Sequence, residues 1–213
     1  MQKVGVIGSG DVGRVLASGL KQHGYEVQIG SRTAQKVAAF AAETGIGAGT
    51  FADVAAWGDA LVLAVKGTVA LDTLRAVGED ALAGKVVIDA TNPIAEGPAD
   101  HGVLRFFTGP NESLMEQLQQ AFPAARFVKA FNSVGSGLMV NPVLSGGRSS
   151  MFICGNDAGA KADVTRLCEQ LGHDVWDMGT VASARAIEPL SMLWCIPGFL
   201  QNDWYHALAM LRG

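Results

Sequence analysis

Gly8-Ser9-Gly10-Asp11-Val12-Gly13 sets three glycines at the spacing G-x-G-x-x-G. The apolar run Val4–Ile7 precedes it directly, and Val12, Val15, Leu16, Gly19 and Leu20 follow at helical spacing. A strand, a glycine turn and a helix in that order offer an anion free backbone N–H groups and the positive end of a helix dipole. The first glycine permits the tight turn. The second removes a Cβ where a pyrophosphate must approach, and the third lets helix and strand pack closely. The chemistry implied is dinucleotide binding, with Gly8, Ser9, Gly10, Asp11, Val12 and Gly13 as contacts.

The second apolar run, Glu26–Ile29, ends on Gly30-Ser31-Arg32, with Lys36 four residues after Arg32. An NAD site usually carries Asp or Glu here to hold the ribose hydroxyls, and that carboxylate would repel a 2′-phosphate. A hydroxyl, a guanidinium and an ammonium one helical turn further on accept it instead. The pattern predicts NADP(H), held by Ser31, Arg32 and Lys36. Three further polar tips follow apolar runs: Val65-Lys66-Gly67-Thr68, Thr91-Asn92-Pro93 and Ala130-Phe131-Asn132-Ser133. In an open α/β sheet such tips share one edge, where ligands bind. Asn92 and Asn132 suit a nicotinamide carboxamide or ribose.

These tips need a frame. Ala60–Val65, Lys85–Ala90, Arg126–Ala130, Met151–Cys154 and Asp174–Asp177 read as further strands. The longest are continuously apolar, as expected where helices cover both faces. Helical patterns alternate with them: Val37, Phe40 and Ala41; Val69, Leu71, Leu74 and Val77; Val164, Leu167, Cys168 and Leu171. Ser113-Leu-Met-Glu116 has the form of a capping box opening a helix to Phe122. The fold class is α/β: a Rossmann-type, doubly wound, mainly parallel sheet with a short C-terminal helical region. Residues 1–179 form the nucleotide-binding core. Residues 180–213 form a helical region, expected to run to the end of the chain, that offers an acceptor cleft and a dimer contact. The irregular stretches Pro93–Glu112 and Gly135–Ser150 are candidate substrate-side loops.

Composition excludes several classes. Of 213 residues, 49% are hydrophobic and 17% charged, enough to bury a real core. Lys+Arg number 16 and Asp+Glu 20, a net charge of −4 with no basic tract, which argues against nucleic acid or an anionic membrane surface. The chain opens without a signal-peptide pattern, and no run of about 18 apolar residues goes unbroken, so no membrane span is expected. Cys154, Cys168 and Cys195 are too widely spaced for a disulfide framework or zinc knuckle, and reduced thiols point to the cytoplasm. His23, His101, His173 and His206 have no metal-ligand spacing, so no metal site is expected. His23 and His173 adjoin glycines and read as helix-end residues; His101, alone in the long loop, is a candidate proton donor.

With these residues in place, the chain resembles the NADP oxidoreductase family that depends on the deazaflavin coenzyme F-420. It is also similar to the cytosolic reductase domain of the six-transmembrane epithelial antigen metalloreductases. The similarity spans nearly the whole chain and is carried by Val4–Gly13, Gly30–Lys36, Val87–Pro93, Phe122–Asn132, Ile153–Lys161 and Trp176–Glu188. It implies an eight-stranded core binding NADPH, with Ser31, Arg32 and Lys36 matching the 2′-phosphate triad. It implies pyrophosphate contacts at Ser9–Val12 and a nicotinamide side at Val65, Lys66, Asn92, Pro93, Ala130, Phe131 and Asn132. Val65-Lys66 stands where deazaflavin-dependent members carry Ile-Pro or similar.

The expected activity is hydride transfer between NADP(H) and a deazaflavin (F-420) or a flavin, FMN or FAD. No base, nucleophile or metal set is evident, and transfer between two cofactor rings needs none. Gly67, Gly135 and Gly137 are read as letting two rings approach, with Phe131, the long loop and Leu190–Phe199 covering them. A carbonyl or imine reductase using Lys66, and an NADP-binding sensor without turnover, remain open. Related Rossmann reductases add a helical domain of about 100 residues, whereas 34 residues follow Gly179 here. The concentration of apolar residues from Leu190 to Leu211 is the basis for expecting a homodimer.

Overall fold

A computed structural model describes residues 1–211. In chain order the elements are β1 (Lys3–Ile7), α1 (Asp11–Gln22), β2 (Glu26–Ser31), α2 (Gln35–Thr44), β3 (Gly47–Thr50), α3 (Phe51–Trp57), β4 (Ala60–Leu63), α4 (Gly67–Val77), α5 (Glu79–Leu82), β5 (Val86–Asp89), α6 (Leu114–Ala121), β6 (Arg126–Lys129), β7 (Ser150–Ile153), α7 (Ala158–Gln170), β8 (Asp174–Asp177), α8 (Ala184–Ile187) and α9 (Leu190–Gln201). Six parallel strands run in the order β3-β2-β1-β4-β5-β6. In β1, Val6 stands level with Ile29 on one side and Val62 on the other. The order reverses at β1, which opens a crevice beyond the carboxyl ends of β1 and β4.

Two cores follow from strand alternation. Val6, Val62, Ile88 and Val128 join Leu16 and Leu20 on one face. Their neighbours Ile7, Leu61, Leu63, Val87 and Phe127 join Leu74 and Leu118 on the other. Because both faces are buried, the strands read as unbroken apolar runs.

The eight strands implied by the resemblance are present, divided between the six-stranded sheet and a separate parallel pair, β7–β8. One antiparallel bridge joins them, in which the Lys129 N–H donates to the Cys154 carbonyl at 2.9 Å. The helical region also ends earlier than expected. Asn202 takes a left-handed conformation (φ 55°) and closes α9, and residues 202–211 form no helix. They turn back instead. Trp204 fills the space over Gly198, where a Cβ would lie 2.3 Å from its ring, and the Leu208 carbonyl accepts the Ser150 N–H at 2.9 Å. The stretch Pro93–Glu112 is an irregular ribbon, pinned by the bridges Ile94–Phe106 and Asp100–Val103.

Both helix-end histidines occupy the expected places. After α1 and α7, Gly24 (φ 87°) and Gly172 (φ 101°) complete the motif in which the next N–H, of Tyr25 or His173, reaches back to Leu20 or Cys168. The His173 side chain does more than its sequence position suggests: it is fully buried. Its Nε2 lies 3.0 Å from the Met139 carbonyl, which can only accept, so Nε2 carries the proton and Nδ1 accepts from the Ser149 hydroxyl at 2.7 Å. Burial pushes its pKa below the ordinary 6.5. The unfolded chain then binds a proton that the folded chain refuses. His173 therefore costs no stability above about pH 6.5 and lowers it progressively below that value. Thermal unfolding should show this slope between about pH 5 and 6.5, and His173→Gln should flatten it; an unchanged slope would assign acid sensitivity elsewhere.

Candidate functional site

The three glycines divide the labour. Gly8 (φ 141°) sits so close to β4 that a Cβ would lie 2.1 Å from the Ala64 carbonyl oxygen, and a Cβ on Gly13 would lie 2.2 Å from that of Gly8. At Gly10 an added Cβ would meet nothing within 4 Å and would project into open space. Gly10 is the N-cap of α1 and no side chain caps that end. The helix thus keeps its first N–H groups for a ligand. Arg14, one turn in, donates from Nε to the Ser9 carbonyl at 3.1 Å, and its guanidinium lies 5.3 Å from the Phe40 ring centre. This brace on the glycine turn was not foreseen from the sequence.

A cleft of about 880 Å³ opens there. Gly8, Ser9, Gly10, Asp11 and Val12 form one wall, Arg32 and Lys36 an end, and Val65 and Lys66 the opposite end. Phe51 and the α4 residues Val69, Thr73 and Ala76 also line the cleft. Gly13 does not line the cleft; its role is the close packing just described. Ser31 is buried, and its hydroxyl donates to the Thr33 carbonyl, so it shapes the turn that presents Arg32.

A second cavity of about 510 Å³ adjoins the first and shares Val65, Lys66, Thr68, Ala90 and Glu96 with it. It reaches Thr91, Asn92 and the loop Ile94–Gly97. Asn92 and Asn132 interlock. The Asn92 Nδ2 donates to the Asn132 carbonyl at 2.7 Å, and the Asn132 Nδ2 donates to the Asn92 Oδ1 at 3.1 Å and the Ile187 carbonyl at 3.0 Å. Pro93, Ala130, Phe131 and Asn132 are buried behind this tip and line neither cavity. The Phe131 ring meets His173 edge-on at 6.0 Å in the core, so it does not cover the cleft.

The sequence reading of the small residues also needs correction. At Gly67 a Cβ would lie 1.9 Å from the Asn92 carbonyl oxygen, and at Gly135 it would lie 2.7 Å from the Trp194 ring. Both glycines let protein segments approach one another; Gly67 also lines the second cavity, whereas Gly135 and Gly137 line neither cavity. His101 is exposed and lines neither cavity. At α6 only half of the capping box forms: Ser113 accepts the Glu116 N–H at 3.1 Å, while Arg185 also holds the Glu116 carboxylate.

Sequence reasoning missed Phe51, Thr73 and Glu96, which carry no motif. It also missed a buried ion cluster. The Lys129 ammonium lies 2.6 Å from the Asp89 carboxylate and 2.8 Å from that of Glu188, with all three side chains 0–1% exposed. A signal existed, because Asp89 and Lys129 are charges at the ends of apolar strands buried on both faces, where a charge must be paired. Burial alone would lower the pKa of Lys129, but the two carboxylates outweigh it and hold the ammonium above its ordinary value. Burial pushes the neighbouring Cys154 thiol up to about 12, which removes it as a nucleophile. The described residues contain no group of three or more His, Cys, Asp or Glu able to hold a metal ion.

The glycine turn, the uncapped helix and the open face of Gly10 fit a dinucleotide, and comparison with known proteins agrees. Residues 3–93 match the family model "NADP oxidoreductase coenzyme F420-dependent". The crystal structure of a candidate F420 dependent NADP-reductase from Arthrobacter sp. FB24 is 35% identical, with each chain covering 100% of the other and a TM-score of 0.93. Metalloreductase STEAP3 of Rattus norvegicus is 32% identical over 93% of this chain, which spans 39% of that protein's length. An imine reductase from Bacillus cereus BAG3X2, 18% identical with a TM-score of 0.68 over 95% of this chain and 64% of its own, shares the fold. The molecule is an NADP-dependent oxidoreductase. It belongs to the coenzyme F420-dependent NADP oxidoreductase family.

Proposed function

We propose that this enzyme transfers a hydride between NADP(H) and a deazaflavin (F-420) or a flavin. The observation that carries the reading is the pair of adjoining cavities, one ending at Arg32 and Lys36 and the other at the β4 and β5 tips. In this reading Arg32 and Lys36 hold the 2′-phosphate, and Ser31 shapes their turn. Ser9–Val12 and the α1 N-terminus hold the pyrophosphate. Val65, Lys66 and Asn92 border the nicotinamide end, with Pro93 and Ala130–Asn132 supporting it from behind. NADPH, when bound, supplies the hydride and the acceptor ring receives it. The chain's part is to orient the two partners and exclude water. Lys66 and Glu96 are the charged residues common to both cavities.

The test is stopped-flow mixing with NADPH deuterated at the transferred position and oxidised F-420 or FMN. Deuterium should appear in reduced F-420, or flavin reduction should show a primary isotope effect. Silence with every flavin, together with turnover of an imine or ketone that Lys66→Ala abolishes, would replace this reading.

We also infer a homodimer formed through the C-terminal face. Leu193, Phe199, Leu200 and Tyr205 are all 48–63% exposed there, an apolar surface of the kind partners cover. Sedimentation at micromolar concentration should give twice the 22.2 kDa chain mass; a monomer would refute the dimer. The free thiols Cys154, Cys168 and Cys195 fit a reducing compartment such as the cytoplasm. No helix among the described residues is long and apolar enough to cross a membrane.

A further inference from the structure

The Asp89–Lys129–Glu188 cluster is tied by hydrogen bonds to Thr91, which lines the second cavity. The Lys129 Nζ donates to the Thr91 carbonyl at 2.9 Å and contacts both carboxylates, so each of its three protons has a partner. Asp89 Oδ1 accepts the Thr91 N–H at 2.9 Å and the Thr91 hydroxyl at 2.6 Å. Thr91 is therefore held at its N–H, hydroxyl and carbonyl, and the next residue, Asn92, begins the amide interlock.

Glu188 reaches from the C-terminal segment. Its carboxylate accepts the Leu114 and Met115 N–H groups, both at 3.0 Å, and so caps α6 where the long loop ends. The preceding residue, Ile187, gives its carbonyl to Asn132. Two carboxylates and one ammonium leave one excess negative charge, which faces the positive end of the α6 dipole. A buried ion pair is poor evidence of stability in itself, because desolvation offsets much of its attraction. What this cluster does achieve is register. The β5 tip, the β6 tip, the start of α6 and the α8–α9 junction are all set against one ammonium group.

We propose that Lys129 is a positioning residue of this enzyme, fixing Thr91 and the Asn92–Asn132 pair so that the second cavity is correctly shaped for the nicotinamide end of NADP(H). This rests on the reading that the second cavity takes that end. The adenine end, at Arg32 and Lys36, lies in the other cavity and does not depend on the cluster.

The test compares binding of 2′,5′-ADP, which occupies only the adenine end, with binding of NADPH, both by calorimetry. Lys129→Met alone would strand two buried carboxylates and endanger folding. The primary variant is therefore the uncharged triple Asp89→Asn, Lys129→Met, Glu188→Gln, which keeps volume but leaves the Thr91 carbonyl without its donor. Its dissociation constant for 2′,5′-ADP should stay within about twofold of wild type, while that for NADPH rises about tenfold as the contacts at the loosened second cavity weaken. Should the triple variant fail to fold, Glu188→Gln, which leaves Lys129 paired with Asp89, should shift the same ratio in the same direction. A folded variant with the wild-type ratio would overturn the proposal. If wild-type protein itself binds NADPH no more tightly than 2′,5′-ADP, the assignment of the nicotinamide end falls, and this inference with it.

Discussion

Arg32→Ala should weaken NADPH binding about ten- to hundredfold and leave NADH within about twofold, because it deletes a charge-assisted contact worth about 1.5–3 kcal/mol. Arg32 and Lys36 close the end of the cleft next to β2, and the first turn after that strand carries no carboxylate. The Ser31 hydroxyl is committed to the Thr33 carbonyl, which leaves the two cationic side chains to discriminate the 2′-phosphate. A guanidinium forms two parallel bonds to a phosphate, so Arg32→Lys should recover only part of the loss. Added salt should weaken NADPH more than NADH by screening the same contact. Fluorescence titration with both nucleotides is sufficient. Equal affinities in wild type, or equal losses in the variant, would refute the assignment.

The glycine turn gives the second large effect, and it separates folding from binding. Gly10→Ala meets no protein atom within 4 Å, so the apo protein should keep its Tm while NADPH affinity falls tenfold or more. Gly8→Ala places a methyl group 2.1 Å from a backbone oxygen at a φ that alanine disfavours, and Gly13→Ala places one 2.2 Å from another. Both should destabilise the apo protein by roughly 3 kcal/mol or more, since a packed backbone has nowhere to yield. Differential scanning calorimetry without nucleotide, followed by titration, distinguishes them. Gly10→Ala protein that binds NADPH like wild type would show that the pyrophosphate does not pass over this residue.

The order of strands and helices was legible because a sheet covered on both faces leaves continuous apolar runs, and these mark β1, β4, β5 and β6. β3 was not located, because Gly47-Ala-Gly-Thr50 is an edge strand, half exposed, with no large apolar residue to announce it. The tail after α9 was misread for the opposite reason. Trp204 packs over Gly198 and Leu208, partly buried, packs against the core beside β7, and such apolar residues resemble a continuing helix in sequence. α9 runs through Pro197. At the candidate site, residue type pointed to Arg32, Lys36 and the glycines, which line or shape the first cleft. It could not tell a residue facing the cleft from one supporting it. Ser31, Phe131 and Asn132 stand at the tips the sequence indicated, but their side chains turn into the protein.

Among the described residues the main sheet and the β7–β8 pair meet at one backbone bridge, and the residue that makes it on the main-sheet side is Lys129. Its amide therefore belongs to the seam between two sheets while its buried ammonium holds the Thr91 carbonyl beyond the end of β5. One residue thus ties the β7–β8 pair, through its amide, to Thr91, through its ammonium. Hydrogen exchange at the Lys129 amide, which the Cys154 carbonyl holds at 2.9 Å, reads the integrity of that seam directly, and its response to NADPH measures how strongly seam and cleft move as one.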